Sequence, residues 1–210
     1  MPMSSTRPIR GLYAVTPDMV DTAALLAKTE HALKGGAKLL QYRNKLADAA
    51  LKLEQATELL RLCRRYDCLF IVNDSVEVAM KIGSPGVHLG REDGDLAEAR
   101  QRLGPDVVLG ASCYGQIQIA EQARDAGVDY VAFGAAYASP TKPGNKRAPL
   151  ELYREARRIG LPVVAIGGIT LDNAQPLVDA GVDALAVITA LYNAPDIIAA
   201  ARGFTALYAK

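Results

Sequence analysis

Residues 162–189, PVVAIGGITLDNAQPLVDAGVDALAVIT, contain the pattern that decides the fold. An apolar run at 162–167 is followed by an amphipathic stretch at 171–180, by Gly181, and by a second apolar run at 184–189. Runs that are apolar on both faces are typical of parallel strands buried on both sides. A glycine directly after an amphipathic stretch is typical of the end of a helix. The segment therefore predicts a strand, a helix and a second strand.

The same unit recurs along the whole chain. Apolar runs lie at residues 11–16, 39–43, 69–73, 86–89, 107–112, 130–134, 162–167 and 184–189. Helical patterns lie at residues 24–33, 49–66, 76–82, 96–103, 117–126, 150–159, 171–180 and 196–208. Eight strands that each precede a helix predict an α/β fold, the (β/α)8 TIM barrel, for which about 200 residues is the lower limit. An open doubly wound sheet is the alternative, although no GxGxxG motif follows the first run.

The composition is that of one globular domain. The 210 residues include 24 Lys+Arg and 23 Asp+Glu, and half of the residues are hydrophobic. This balance excludes intrinsic disorder and argues against a general nucleic-acid-binding protein. The apolar runs are too short to cross a membrane, and the N-terminus lacks the apolar core of a secretory signal. We expect a single TIM-barrel domain over residues 1–210, with residues 1–10 as a flexible N-terminal extension.

The cysteines indicate a reducing compartment. Cys63, Cys68 and Cys113 are odd in number and form no CxxC pair. Small buried thiols in a cytoplasmic protein are the expected interpretation.

Polar residues collect where the predicted strands end, which is where the active site of a (β/α)8 barrel lies. Gln41, Arg43 and Lys45 share one side of the second strand by its period of two. Two cations and an amide suit a polyphosphate, and solvated charges at a strand end are the alternative. His88, within the fourth strand, is more typical of a hydrogen-bonded core residue than of a catalyst.

Two aspartates follow neighbouring strands. Asp74 and Asp93, taken singly, are typical of helix N-caps. Taken together, they lie on loops after the third and fourth strands and predict a magnesium site, because Mg²⁺ is held by one or two carboxylates and substrate phosphates.

The later strands predict a second phosphate site. Ser112 ends the fifth strand and is a candidate donor to substrate. Residues 138–146 are typical of a phosphate-binding lid, with an ordinary surface loop as the alternative. Gly167 and Gly168, together with residues 187–189, fit the phosphate site that recurs after the last two strands of this fold. A close-packed turn is the alternative for Gly167 alone.

An ordered set of motifs resembles the thiamine phosphate synthase (thiamine-phosphate pyrophosphorylase) family. The motifs are GLYAVTPD, QYRNK, VNDS, GVHLGREDG, LGASCYG, DYVAFGAAYASPTKPG, VVAIGGIT and DALAVITAL, and they extend over residues 11–191. The resemblance implies a transferase of thiamine biosynthesis. It condenses 4-amino-2-methyl-5-(diphosphooxymethyl)pyrimidine with 4-methyl-5-(2-phosphoethyl)thiazole, or its carboxylated form, to give thiamine phosphate and pyrophosphate by a magnesium-assisted, dissociative displacement.

The resemblance also implies the roles of individual residues. Arg43, Lys45 and Lys142 neutralise the leaving group as catalytic residues, and Asp74 and Asp93 ligate Mg²⁺. The residues that bind substrate are Gln41, Arg43, Lys45, Asn73, Ser112, Ser139, Pro140, Thr141, Lys142, Gly168, Ile188 and Thr189. The implied partners are two phosphorylated small molecules, with no nucleic acid and no membrane. The sequence leaves the oligomeric state open, a homo-oligomer included.

Three positions depart from the family pattern, and other functions compete. Ser139 replaces a threonine, Arg91 replaces a glutamine near Asp93, and Thr189 replaces a serine. The alternatives are a thiazole tautomerase-like barrel, a non-catalytic protein that binds thiazole or thiamine phosphate, and a general phosphate-binding isomerase. The first two do not need the magnesium–diphosphate residues, and the third needs a proton-transfer group that the sequence does not show.

Overall fold

The computed structural model describes residues 8–138 and 147–209. Eight parallel strands form a closed barrel in sequence order, with β8 hydrogen-bonded to β1. The strands are β1 (Gly11–Val15), β2 (Leu39–Tyr42), β3 (Leu69–Asn73), β4 (Gly86–Leu89), β5 (Val108–Tyr114), β6 (Tyr130–Phe133), β7 (Val163–Ile166) and β8 (Ala184–Val187). The predicted (β/α)8 barrel is confirmed, and the open doubly wound alternative is wrong.

Helices follow the strands around the outside of the barrel. They are α1 (Thr22–Lys34), α2 (Ala49–Arg65), α3 (Val76–Ile82), α4 (Leu96–Leu103), α5 (Ile117–Asp125), α6 (Leu150–Ala156), α7 (Leu171–Asp179), α8 (Thr189–Tyr192) and α9 (Ile197–Ala206). A 3₁₀ turn, Arg157–Ile159, extends α6. The sequence predicted strand up to Thr189, and this is wrong at its end. Ile188 turns the backbone out of the extended region (φ −111°, ψ −85°), and Thr189 begins α8.

The core has two parts because the side chains of each strand alternate between the two faces of the barrel wall. On β1, Leu12 and Ala14 pack outward against the helices, whereas Tyr13 and Val15 pack inside the barrel. Tyr130 of β6 is the inner neighbour of Gly110 on β5, where an added Cβ would lie 2.1 Å from the ring carbon Cζ. Gly110 therefore makes the room that the Tyr130 ring occupies.

The cysteines and residues near both ends of the described chain also belong to this core. Residues 1–7 of the expected N-terminal extension lie outside the described residues, and Ile9 belongs to the inner cluster. Cys63, Cys68 and Cys113 are buried, as expected. Within the described part of the chain, no helix is both long and apolar enough to span a membrane.

Candidate active site

The two aspartates expected to hold a metal lie beside each other at the ends of β3 and β4. Asp74 adopts a left-handed backbone conformation (φ +62°), and its N–H donates to the His88 carbonyl oxygen at 2.9 Å. Ser75 is the N-cap of α3 and accepts from the Val78 N–H, so the interpretation of Asp74 as a helix cap is wrong. The carboxylate of Asp74 is therefore not used as a helix cap and interacts with Asp93 instead.

Asp93 is fixed within the loop that follows β4. Its Oδ2 accepts the Gly90 N–H at 2.7 Å, while Asp95 caps α4, so Asp93 is not the cap either. A Cβ on Gly90 would lie 2.9 Å from this Oδ2. The absence of a side chain at residue 90 therefore allows the carboxylate to sit against the backbone.

Two polar residues, Lys45 and Asn73, lie near the aspartates. The pKa of Asp74 is raised from 3.8 to about 6, first by burial and then by the hydrogen-bonding and charge interactions of Asp93. The side chain of Asn73 and the charge of Lys45 oppose this shift. The structure thus brings Lys45, Asn73 and Asp93 close enough to Asp74 to influence its pKa.

The two carboxylates leave room for other ligands. In the ranges 8–138 and 147–209, no group of three or more His, Cys, Asp or Glu residues is arranged to hold a metal. Mg²⁺ is characteristically held by one or two carboxylates, with water and substrate phosphates completing its shell. The pair fits a metal that binds together with a diphosphate better than a metal enclosed by protein ligands alone.

Asp18, which no sequence motif singled out, anchors the basic segment that follows β2. Its Oδ1 accepts from Arg43 Nη1 at 3.0 Å and from the Lys45 backbone N–H at 2.7 Å. Thr16, at the end of β1, exchanges two 2.8 Å hydrogen bonds with the Arg43 backbone. An acidic residue just beyond β1, next to a basic strand end, was the available signal. Arg43 is consequently held toward Asp18 rather than lying free in solvent.

Gln41 and Ser112 end a buried row of hydrogen bonds. Gln41 Nε2 donates to the Tyr13 hydroxyl at 2.9 Å, and the Tyr13 and Tyr130 hydroxyls are 2.8 Å apart. His88 joins Tyr130 through Nδ1 and Ser112 Oγ through Nε2, at 2.9 Å each. Burial lowers the pKa of His88 to about 4, so the imidazole is neutral near pH 7. The expectation that His88 is a hydrogen-bonded core residue is confirmed.

The loops after β7 and β8 bring three candidate phosphate ligands to the other side of the mouth. Gly168 has φ +66°, and a Cβ there would lie 2.6 Å from the Ala138 carbonyl oxygen. Ile188 is the N-cap of α8, and Thr189 is exposed at its first position. Gly167 also packs closely, because its Cβ would lie 2.8 Å from the Ala135 Cβ, as the close-packed-turn alternative expected.

Four predicted ligands cannot be placed. Ser139, Pro140, Thr141 and Lys142 lie outside the described residues. The departure at Arg91 is placed: its guanidinium carbon lies 4.9 Å from the Tyr114 ring centroid, a cation–π geometry.

Comparison with known proteins points to one family. The sequence model of thiamine monophosphate synthase matches residues 12–191. Thiamine-phosphate synthase of Chromobacterium violaceum is 57% identical over 92% of this chain and 94% of its own. That of Methylobacillus flagellatus is 52% identical over 99% of this chain and 100% of its own.

Solved structures agree. Thiamine phosphate pyrophosphorylase from Pyrococcus furiosus superposes with a TM-score of 0.84, at 34% identity, over 95% of each chain. A 3-hexulose-6-phosphate synthase, 20% identical with a TM-score of 0.71 over 94% of this chain and 99% of its own, shares the fold alone.

Proposed function

The chain belongs to the thiamine monophosphate synthase family and is an enzyme that transfers a pyrimidinylmethyl group, and we propose that it does so by a magnesium-assisted, dissociative displacement at the barrel mouth. The pyrimidine diphosphate loses pyrophosphate, and the thiazole nitrogen attacks the methylene carbon to give thiamine phosphate. The observation that carries the proposal is the pairing of Asp74 and Asp93 beside Lys45.

Asp74 and Asp93 would hold the metal. Burial, and then the neighbouring Asp93, raise the pKa of Asp74, and a divalent cation bound by the two carboxylates would favour the ionised form. Bound Mg²⁺ supplies Lewis-acid neutralisation of the diphosphate. Asn73 assists by holding the Asp74 carboxylate, as its opposing effect on the pKa of Asp74 indicates.

Cationic side chains would neutralise the charge that grows on the leaving pyrophosphate. Arg43 is preoriented by Asp18 at 3.0 Å and has further N–H groups for phosphate oxygens. Lys45 lies close enough to Asp74 to influence its pKa, so it can reach a diphosphate bound there. Lys142 would neutralise the same group. Charge stabilisation of this kind needs no protein nucleophile.

The remaining ligands would orient the two substrates. Gln41 and Ser112 would contact the pyrimidine, and Gly168, Ile188 and Thr189 would bind the thiazole phosphate through backbone groups. Ser139, Pro140 and Thr141 would complete that phosphate site. Holding the thiazole nitrogen opposite the leaving group converts an encounter into an oriented reaction. We place the protein in the cytoplasm, a location supported by its three buried cysteines.

A coupling assay tests the proposal. Purified protein is given pyrimidine diphosphate and thiazole phosphate with Mg²⁺ or with EDTA, and thiamine phosphate is followed by fluorescence after oxidation. Product that forms only with a divalent cation is expected. Equal rates in EDTA would contradict the metal-assisted mechanism. Folded protein that binds thiazole phosphate but makes no product would favour the tautomerase-like or non-catalytic alternative.

A further inference from the structure

A hydrogen-bond chain crosses the barrel interior and joins five of the eight strands. It runs from Gln41 on β2 through Tyr13 on β1, Tyr130 on β6 and His88 on β4 to Ser112 on β5. The first four residues are at most 6% exposed, and Ser112 is half-buried. Among the described residues of the polypeptide, no buried side-chain nitrogen or oxygen lacks a hydrogen-bond partner.

The chain has one direction. Gln41 Nε2 donates to Tyr13, whose hydroxyl has a single proton left to give to Tyr130. Burial raises the pKa of both tyrosines above the usual value, so both keep their protons. Tyr130 in turn donates to His88 Nδ1. A neutral imidazole has one N–H, which must then be on Nε2, where it donates to Ser112 Oγ.

We propose that this directed chain fixes the hydrogen-bonding polarity of Gln41 and Ser112, and that Tyr13, Tyr130 and His88 are therefore positioning residues for an aminopyrimidine substrate. Because one Nε2 N–H donates to Tyr13, the orientation of the Gln41 amide is fixed and its carbonyl oxygen is available as an acceptor. Because Ser112 accepts from His88, its own proton is available to donate. The inference rests on the proposed function, which places the pyrimidine against these two residues.

The polarity matches one form of the substrate. An aminopyrimidine has a donor, the exocyclic amine, next to an acceptor, the ring nitrogen. The 4-oxo analogue reverses this order, because its oxygen accepts and its ring N–H donates. A site built to pair a particular donor and acceptor strongly disfavours an analogue that leaves them unpaired. The hydrogen-bond chain thus favours the amino form of the substrate through residues that do not contact the substrate.

Packing prevents the chain from rearranging. The Tyr130 ring fills the space over Gly110, where a Cβ would be 2.1 Å away. It stacks on His88 with ring centroids 5.5 Å apart and contacts Tyr13 edge-on at 6.1 Å. The packing of the three rings therefore holds the two hydroxyls and the imidazole nitrogens in place.

Tyr130→Phe breaks the chain and keeps the ring. We expect KM for the pyrimidine diphosphate to rise about tenfold, because the lost hydroxyl makes the two hydrogen bonds that join Tyr13 to His88. The preference for the amino substrate over its 4-oxo analogue should fall about tenfold, because both ends can then reorient. KM for the thiazole phosphate should not change. Tyr13→Phe breaks a different link and should act alike.

Tyr153→Phe is the matched control. Tyr153 is equally buried, but its hydroxyl donates to the Phe133 carbonyl oxygen outside this chain. Its loss should leave the amino-over-oxo preference unchanged. If the wild type is active and the preference is unaltered in Tyr130→Phe and Tyr13→Phe, the inference is overturned and the proposed function stands. A wild type that makes no thiamine phosphate would contradict the proposed function and overturn the inference with it.

The His88 tautomer gives a second readout, which is taken on the wild type and needs a variant only to assign the signals. The sequence has two histidines, His31 and His88, so ¹⁵N-histidine labelling gives the signals of two imidazole rings with two nitrogens each, and His31→Gln assigns them. The inference requires the Nε2–H tautomer at His88 in the wild type. The Nδ1–H tautomer would reverse the chain and overturn the inference.

Discussion

The carboxylates of Asp74 and Asp93 are close enough to interact directly, although they belong to loops after different strands. Burial of Asp74, and then the nearby Asp93, make ionisation of Asp74 unfavourable in the folded protein when no cation is bound. The pair is therefore understandable as a binding site and not as a source of stability.

Replacement of Asp74 by Asn should stabilise the metal-free protein at neutral pH. The pKa of Asp74 is 3.8 ordinarily and about 6 when folded, so its ionisation lowers stability as the pH rises from about 4 through 6. Asn tolerates the left-handed conformation at this position. Thermal melts in EDTA should show a higher Tm for Asp74→Asn at pH 7.5 and no difference near pH 4. Asp125→Asn, at an exposed aspartate of α5, should show no such gain. A lower Tm for Asp74→Asn at pH 7.5 would contradict the conclusion that the ionised Asp74 carboxylate destabilises the metal-free protein.

Gly90→Ala should raise the Mg²⁺ requirement without unfolding the protein. The new Cβ would lie 2.9 Å from Asp93 Oδ2, which is the end of a movable side chain. The carboxylate is then displaced from the Gly90 N–H, and the half-saturating Mg²⁺ concentration should increase. Gly115→Ala is the control, since nothing lies within 4 Å of its added Cβ. Identical Mg²⁺ titrations of the two variants would show that the position of Asp93 does not matter.

Asp18→Asn should weaken binding of the pyrimidine diphosphate. The substitution removes the charge that orients Arg43 and weakens the bond from the Lys45 N–H. Hydrogen bonds to charged groups contribute about 1.5–3 kcal/mol, so we expect KM for this substrate to rise at least tenfold. KM for the thiazole phosphate should stay the same. Glu58→Gln, at an exposed ion pair with Arg61, is the control. A uniform change in both KM values would point to a general structural effect.

Lys142→Ala should lower kcat by about a hundredfold, the usual effect of removing one group that stabilises transition-state charge. Steady-state kinetics with each substrate varied in turn measure it. Lys81→Ala, at an exposed lysine of α3, serves as the comparison. Normal kcat in Lys142→Ala would remove this lysine from the mechanism.

The barrel was predictable because each strand has its own local signal, an apolar run of four or more residues. α8 was not, since the four residues Thr189–Tyr192 are too few to show a helical period. The choice between Asp74 and Ser75 as the N-cap depends on a difference of one residue, which a sequence pattern does not resolve.

The hydrogen-bonded interior of the barrel was not predictable from the sequence, for a different reason. Tyr13 and Tyr130 are 117 residues apart, and only closure of the barrel brings their hydroxyls to 2.8 Å. Each residue, taken alone, is an unremarkable tyrosine in an apolar strand. Asp74, Asp93 and Lys45, by contrast, follow neighbouring strands, so the order of the strands sufficed to bring them together.

The most direct measurement is the Mg²⁺ dependence of thiamine phosphate formation by the wild type and by Asp93→Asn, at saturating concentrations of both substrates. If the aspartate pair holds the metal, half-saturation in Asp93→Asn should require at least tenfold more Mg²⁺, because one of two protein ligands is lost. Circular dichroism should show that the variant remains folded. The same half-saturating concentration in both proteins would contradict the account, since the metal would then bind elsewhere.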